Sequence, residues 1–209
     1  MRRNFFVLVL VLLLFGHTRV GSTSSPDLPS AMEFVRVNLT ELQRVFSDEN
    51  LKKSERDRRV SEILHRVLDL SAMARSSLGV HYKDYRHREK EFVTAFSVFL
   101  ERSFINLVEL NPGVEIIYSH GRLDATYATI MTKVIVPNMK DPVSVAYRLS
   151  FNQGEWRVYG IIIEEIYIIN NYRAQFARVI ERDGFDGLLR KLSGHQNQTA
   201  NATQQKGPP

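Results

Sequence analysis

The hydrophobic pattern changes period partway along the chain, and that change restricts the fold more than any other feature. Up to Val108, apolar residues recur at helical spacing. Leu39, Leu42, Val45 and Phe46 form one run, Val60, Ile63, Leu64, Val67 and Leu68 a second, and Phe92, Phe96, Phe99, Leu100 and Phe104 to Val108 a third that is rich in Phe. Asn111, Pro112 and Gly113 stop the third helix. Beyond them the period falls to two. Val143, Val145, Tyr147, Leu149 and Phe151 alternate with Ser144, Ala146, Arg148 and Ser150, and Asn152 to Gly154 turn that strand into the next. Val114 to Ser119 and Thr126 to Val136 predict an earlier hairpin around His120, Gly121 and Asp124. The stretch Glu155 to Ile169 is apolar on both faces, which predicts one long strand covered on both sides: Trp156, Val158, Ile162, Ile166 and Ile168 face one way, and Tyr159, Ile161, Ile163, Tyr167 and Ile169 the other. Helical signals return at Asn171 to Glu181 and, after Gly184, at Phe185 to Leu192.

Helices, then hairpin-linked strands, then helices predict an α+β fold, in which a curved antiparallel sheet carries its helices on one face and encloses apolar volume beside the Phe-rich helix. Periodicity does not separate a solid core from an open cavity, and composition alone favours the solid core.

The first residues predict export. Arg2 and Arg3 precede an 11-residue apolar run from Phe5 to Phe15, and Gly16, Val20, Gly21 and Ser22 supply a small-residue exit. The run falls short of the roughly 20 residues that span a bilayer, so residues 1–22 read as a cleaved signal peptide. Cleavage removes Arg2, Arg3 and Arg19 and lowers the net charge from +5 to +2. A nearly neutral, exported chain without cysteine disfavours nucleic-acid binding and excludes disulfides and thiolate chemistry. A periplasmic location is expected. Asn-x-Thr sequons at Asn38, Asn197 and Asn201 read as chance. Residues 23–30 read as a Ser/Pro linker, 31–193 as a single domain and 194–209 as a polar, disordered tail.

Few residues invite chemistry. Glu164 and Glu165 lie inside the apolar stretch, where a carboxylate is costly to bury unless paired, with Arg148 or Arg173 as the expected partners. As neighbours on a strand they point to opposite faces and do not converge on one substrate. His81, Asp84, His87, Glu89 and Glu91 lack metal-ligand spacing, and both histidines read as surface groups. Lys52, Lys53, Arg56, Arg58 and Arg59, and separately Lys83, Arg86, Arg88 and Lys90, read as solvated helix faces; contact with anionic lipid headgroups or an acidic partner is the sharper alternative.

Trp156, Arg157, Val158 and Tyr159, followed by Asn171, Tyr172, Arg173, Gln175 and Phe176, resemble the C-terminal signature of the MlaC-like family, also called the toluene-tolerance auxiliary family. Leu78, Gly79 and Tyr82 resemble its Leu-Gly-x-Tyr segment, and Gly184 to Leu192 its closing Gly-x-Asp-x-Leu. Gly160, Glu165 and Tyr167 depart from the family pattern. The resemblance implies a cone-shaped fold of the nuclear-transport-factor-like kind and a periplasmic lipid carrier without enzyme activity or cofactor. Such a carrier holds phospholipid acyl tails between sheet and helices as cargo. Its expected partners are phospholipid, the substrate-binding subunit of an inner-membrane ABC transporter and an outer-membrane lipoprotein–porin complex, with transient membrane contact. On that reading the tails are expected to touch Phe96, Leu100 and Phe104, Tyr147 and Leu149, and Ile162, Ile166 and Ile168, with Ile161 and Ile163 as the opposite strand parity. The alternatives are a hopanoid-type carrier, an enzyme using Glu164 or Glu165 as base, and a lipid-free interaction module.

Overall fold

Two of the helices start where an aspartate side chain satisfies a free N–H group of the first turn. In the computed structural model, which describes residues 25–109, 113–137 and 139–194, α1 (Leu28–Ser47) is capped by Asp27, whose carboxylate accepts from the Ser30 N–H at 2.7 Å. The helix therefore begins inside the stretch expected to be linker. α2 (Lys53–Val67) follows and leads through Leu68 into α3 (Leu70–Leu78), where Asp69 accepts from the Ala72 N–H at 2.8 Å. The short α4 (Tyr82–Tyr85) precedes the 21-residue α5 (Glu89–Glu109), the Phe-rich helix. The proposed signal peptide, the helix-stopping Asn111 and Pro112, the tail beyond Gly194 and the sequons at Asn197 and Asn201 lie outside the described residues. Asn38, the remaining sequon, is only 8% exposed on α1, so the folded surface does not present it for modification.

Five antiparallel strands follow in chain order as a meander: β1 (Glu115–Asp124), β2 (Tyr127–Ile135), β3 (Val143–Asn152), β4 (Glu155–Ile163) and β5 (Ile166–Tyr167). α6 (Ile168–Ser193) closes the fold, with a kink at Gly184 where φ is +69°. The sheet curves because two bulges interrupt its ladders. One, in β1, lies between Tyr118 and Gly121, so His120 and Gly121 belong to the strand rather than to the turn. The other lies in β4, where Arg148 pairs with Gly160 but Leu149 with Val158, leaving Tyr159 as the extra residue.

The single long strand expected over Glu155–Ile169 is instead a strand, a tight turn, a two-residue strand and the first turn of α6. Glu164 and Glu165 form the turn, with φ of +47° and +66°, the two left-handed residues that a two-residue hairpin needs. Both are exposed. Neither expected arginine is their partner: Glu164 accepts from the Ser144 N–H, Arg173 Nε donates to the Ser76 carbonyl at 2.8 Å, and Arg148 lies over the rings of Tyr159 and Tyr167 at 5.2 and 5.6 Å. Tyr167 also explains Gly160, since any Cβ there would stand 2.6 Å from the Tyr167 hydroxyl oxygen.

The Phe-rich helix packs mainly on α6. Phe92, Phe96 and Phe99 meet Phe176 with ring planes 70–90° apart and centroids 6.1–6.2 Å apart, and Phe92 also meets Phe185. The helical layer is tied to the sheet between α2 and α3, where the Asp69 N–H donates to the Val158 carbonyl at 2.9 Å and Leu68 bridges Val158.

Because a left-handed backbone costs a residue with a side chain about 1–2 kcal/mol, Glu165→Gly is expected to raise the unfolding free energy by about 0.5–1 kcal/mol. Urea denaturation followed by circular dichroism measures it; a destabilised variant would contradict the turn.

Candidate functional site

Between α1, α2, α5 and the concave face of the sheet lies an apolar cavity of about 100 Å³. Helical spacing on α1 brings Phe34, Val35, Leu39 and Leu42 to it, and α2 adds Leu64 and Val67. The last turns of α5 contribute Leu100 and Phe104, and the sheet contributes Tyr147, Val158 and Ile161. An apolar void of this size stays dry. At about 24 cal/mol per Å³, leaving it unfilled costs on the order of 2 kcal/mol relative to a packed core.

The polar groups at the wall are turned away or closed off. Asn38 donates from Nδ2 to the Phe34 carbonyl at 2.7 Å and accepts at Oδ1 from Arg66 at 3.2 Å. Burial pushes the Tyr147 hydroxyl up to about 12, opposed by its hydrogen bond with Thr132. Beyond Phe34 and Asn38, which belong to both walls, an open groove of about 520 Å³ runs past Ser30, Glu33, Val37, Arg66, Phe151, Glu155 and Trp156.

Of the eight residues expected at the site, Leu100, Phe104 and Tyr147 line the cavity together. Phe96 and Leu149 are fully buried in the adjoining core and do not line it. Ile162, Ile166 and Ile168 do not line it either. Ile166 is 58% exposed beside the Glu164–Glu165 turn, and Ile168 opens α6. The bulge at Tyr159 is the physical reason: Val158 faces the helices, the extra residue reverses the alternation, and Ile161 rather than Ile162 returns to the inner face. The α1 and α2 contributions were missed as lining, although Leu39, Leu42, Leu64 and Val67 already stood out as the inward stripes of two helices.

Two of the other candidates, Glu89 and Glu91, have structural partners. Glu89 accepts from Arg75 at 2.8 Å and from the Tyr82 hydroxyl at 2.7 Å, and Glu91 pairs with Arg88. Among the described residues no group of three or more His, Asp or Glu is placed to hold a metal ion. His87 is exposed and His81 half-exposed. In the first basic run, Arg58 and Arg59 flank Glu55 and hold its carboxyl down at about 2, while Lys53 and Arg56 pair with Glu109, as on a solvated helix face. Among the described residues no helix is long and apolar enough to cross a membrane.

A hydroxyl whose pKa is raised by folding costs stability only at alkaline pH. The unfolded chain ionises Tyr147 near 10 and the folded chain near 12, so its contribution is intact below pH 10 and is lost as pH rises toward 12. Urea titrations across that window are expected to show a decline that is shallower in Tyr147→Phe; identical slopes would remove Tyr147 from the interior assigned to it.

The fold has a solved counterpart. A phospholipid-binding protein from Ralstonia solanacearum, solved in complex with a phospholipid, superposes with a TM-score of 0.64 at 21% sequence identity, over 78% of this chain and 94% of that one. Its likeness confirms the α+β arrangement of curved antiparallel sheet and helices. The MlaC protein family model matches residues 37–194, which takes in every strand, the helices from α2 to α6 and the part of α1 from Val37 onward. By that match the chain belongs to the MlaC family.

Proposed function

We propose that this protein is a periplasmic phospholipid carrier that holds acyl tails in the cavity between sheet and helices. In this reading it passes lipid between an outer-membrane lipoprotein–porin complex and the substrate-binding subunit of an inner-membrane ABC transporter, with only transient membrane contact. The observation that carries the reading is the unfilled apolar volume at the meeting point of α1, α2, α5 and the sheet. Family membership and the phospholipid held by the Ralstonia solanacearum protein support it.

The energetics suit a carrier. Two sixteen-carbon tails carry about 30 methylenes, worth roughly 24 kcal/mol in transfer from water at about 0.8 kcal/mol each. That gross figure exceeds the practical affinity ceiling near 20 kcal/mol, so ordering costs consume part of it, yet the lipid hardly escapes into water. In a bilayer the tails are already buried. Transfer between bilayer and cavity is therefore nearly balanced, and small differences in contact with each partner set its direction. Ligand sites for small molecules typically hold about 300–1,000 Å³. Taking up tails thus requires the roughly 100 Å³ cavity to widen, and the seam between α1 and the α5 end, where Phe46 and Phe104 meet at 6.2 Å, is where we expect the widening.

Native mass spectrometry of the chain, purified from a bacterial periplasm without detergent, is expected to show a stoichiometric adduct of phospholipid mass. Phe104→Glu places a charge on the cavity wall and is expected to abolish it, whereas Ile166→Glu, at an exposed position, is expected to leave it unchanged. A bare mass after incubation with liposomes would overturn the carrier reading, and an adduct retained by Phe104→Glu would overturn the lining.

A further inference from the structure

The helices cover one face of the sheet, where Ala128, Ile130, Leu149 and Val158 are buried beneath them. The strand registers place the alternate residues on the opposite, outer face. One row of that face runs across four strands as Arg122, Thr129, Arg148 and Gly160. The next row ends at Tyr167, and Lys133 lies one row further on.

Arg148 is held on this face by rings rather than by a carboxylate. Its guanidinium lies over Tyr159 at 5.2 Å and Tyr167 at 5.6 Å, and Tyr159 in turn meets Tyr127 edge-on at 5.9 Å. Gly160 makes room for this platform, because the Tyr167 hydroxyl takes the space a Cβ would need. Arg122, Lys133 and Arg148 have no ion pair among the described residues, and their rows contain no carboxylate. The acids of this side stand at its rim. Glu115 and Asp124 end β1, Glu155 starts β4 and is paired with Arg157 at 3.1 Å, and Glu164 lies in the turn after β4, bound to the Ser144 N–H.

We propose that the centre of the outer sheet face is a docking surface for a protein partner that presents a carboxylate-bearing segment, with Arg148 as its anchor. A guanidinium stacked on two rings keeps its N–H edges for a bidentate carboxylate, and its stacking fixes the fork before the partner arrives. Three cations without compensating acids make a positive field that such a segment neutralises, while the rim carboxylates turn away an acidic segment placed off centre. Tyrosine and arginine are also the residue types that anchor protein interfaces. A lipid surface fits less well, since it takes up apolar side chains that insert, whereas Tyr159 and Tyr167 are half-buried in packing with Arg148. The face lies on the far side of the sheet from the cavity, so the inference does not depend on what the cavity holds.

The probe is hexaglutamate, titrated at low salt into the isotope-labelled chain and followed by amide chemical shifts. Shifts are expected around Thr129, Arg148 and Tyr167, and not on the equally basic helix faces of Arg58 and Arg59 or of Lys83 and Arg86. Arg148→Gln is expected to raise the peptide's Kd about tenfold, the loss of a charge-assisted pair. Arg148→Lys keeps the charge but not the fork and is expected to raise it about threefold. The phospholipid adduct expected of the carrier is unchanged in both variants, so docking and carriage are read separately. Absent shifts, shifts spread evenly over the helical basic runs, or unchanged affinity in Arg148→Gln would overturn the docking surface and leave the carrier reading standing. Phosphatidylglycerol vesicles that perturb these residues where hexaglutamate does not would overturn the protein partner in favour of a membrane contact.

Discussion

One backbone hydrogen bond, from Asp69 N–H to the Val158 carbonyl, sets how the helical layer sits on the sheet. It occurs where α2 gives way to α3, and the side chain of the same Asp69 caps α3, so a single residue ends the loop and docks it. On one side of that pin, α3, α5 and α6 close over a dense aromatic core in which Phe92 and Phe96 are at most 1% exposed. On the other side, α1 and α2 span the concave face without filling it. The interior is thereby divided into a packed half that holds the fold together and a loosely filled half that is free to take a guest.

Helical and strand periods were legible because burial on one face imposes them, and every helix expected from spacing is present. The doubly apolar stretch after Glu155 misled for a local reason. Its turn is made by Glu164 and Glu165, which carry none of the Gly, Asn or Pro signals by which tight turns are read. The bulge at Tyr159 was equally silent, and it alone moved the inward position from Ile162 to Ile161. Leu100, Phe104 and Tyr147 were legible as lining because they lie on regular elements upstream of that irregularity. Phe96 lies off the cavity wall because a Phe-rich helix has two apolar faces, and spacing does not say which of them meets α6.

The apolar void and the polar groove make opposite demands on the chain. The void forgoes dispersion contacts and therefore lowers stability, which the aromatic α5–α6 contacts and the cation–π stack of Arg88 on Phe185 at 5.0 Å help to offset. The groove, in contrast, carries Glu33, Arg66 and Glu155 in exposed ion pairs that contribute little to stability and can be rearranged freely. Rigidity is concentrated away from the site, where opening does not have to disturb it.

The two borders of the sheet have a consequence for behaviour at high concentration. A meander leaves both outer strands unpaired on one side, and an unpaired strand is a template for another chain. Here β1 is bent by the bulge after Tyr118, and β5 covers only Ile162 and Ile163 of β4, whose remaining edge is broken by the bulge at Tyr159 and met at Val158 by Leu68 and Asp69. Neither border offers a long, straight row of hydrogen-bonding groups, so the curved sheet can flex around its contents without recruiting a second copy into an extended ribbon.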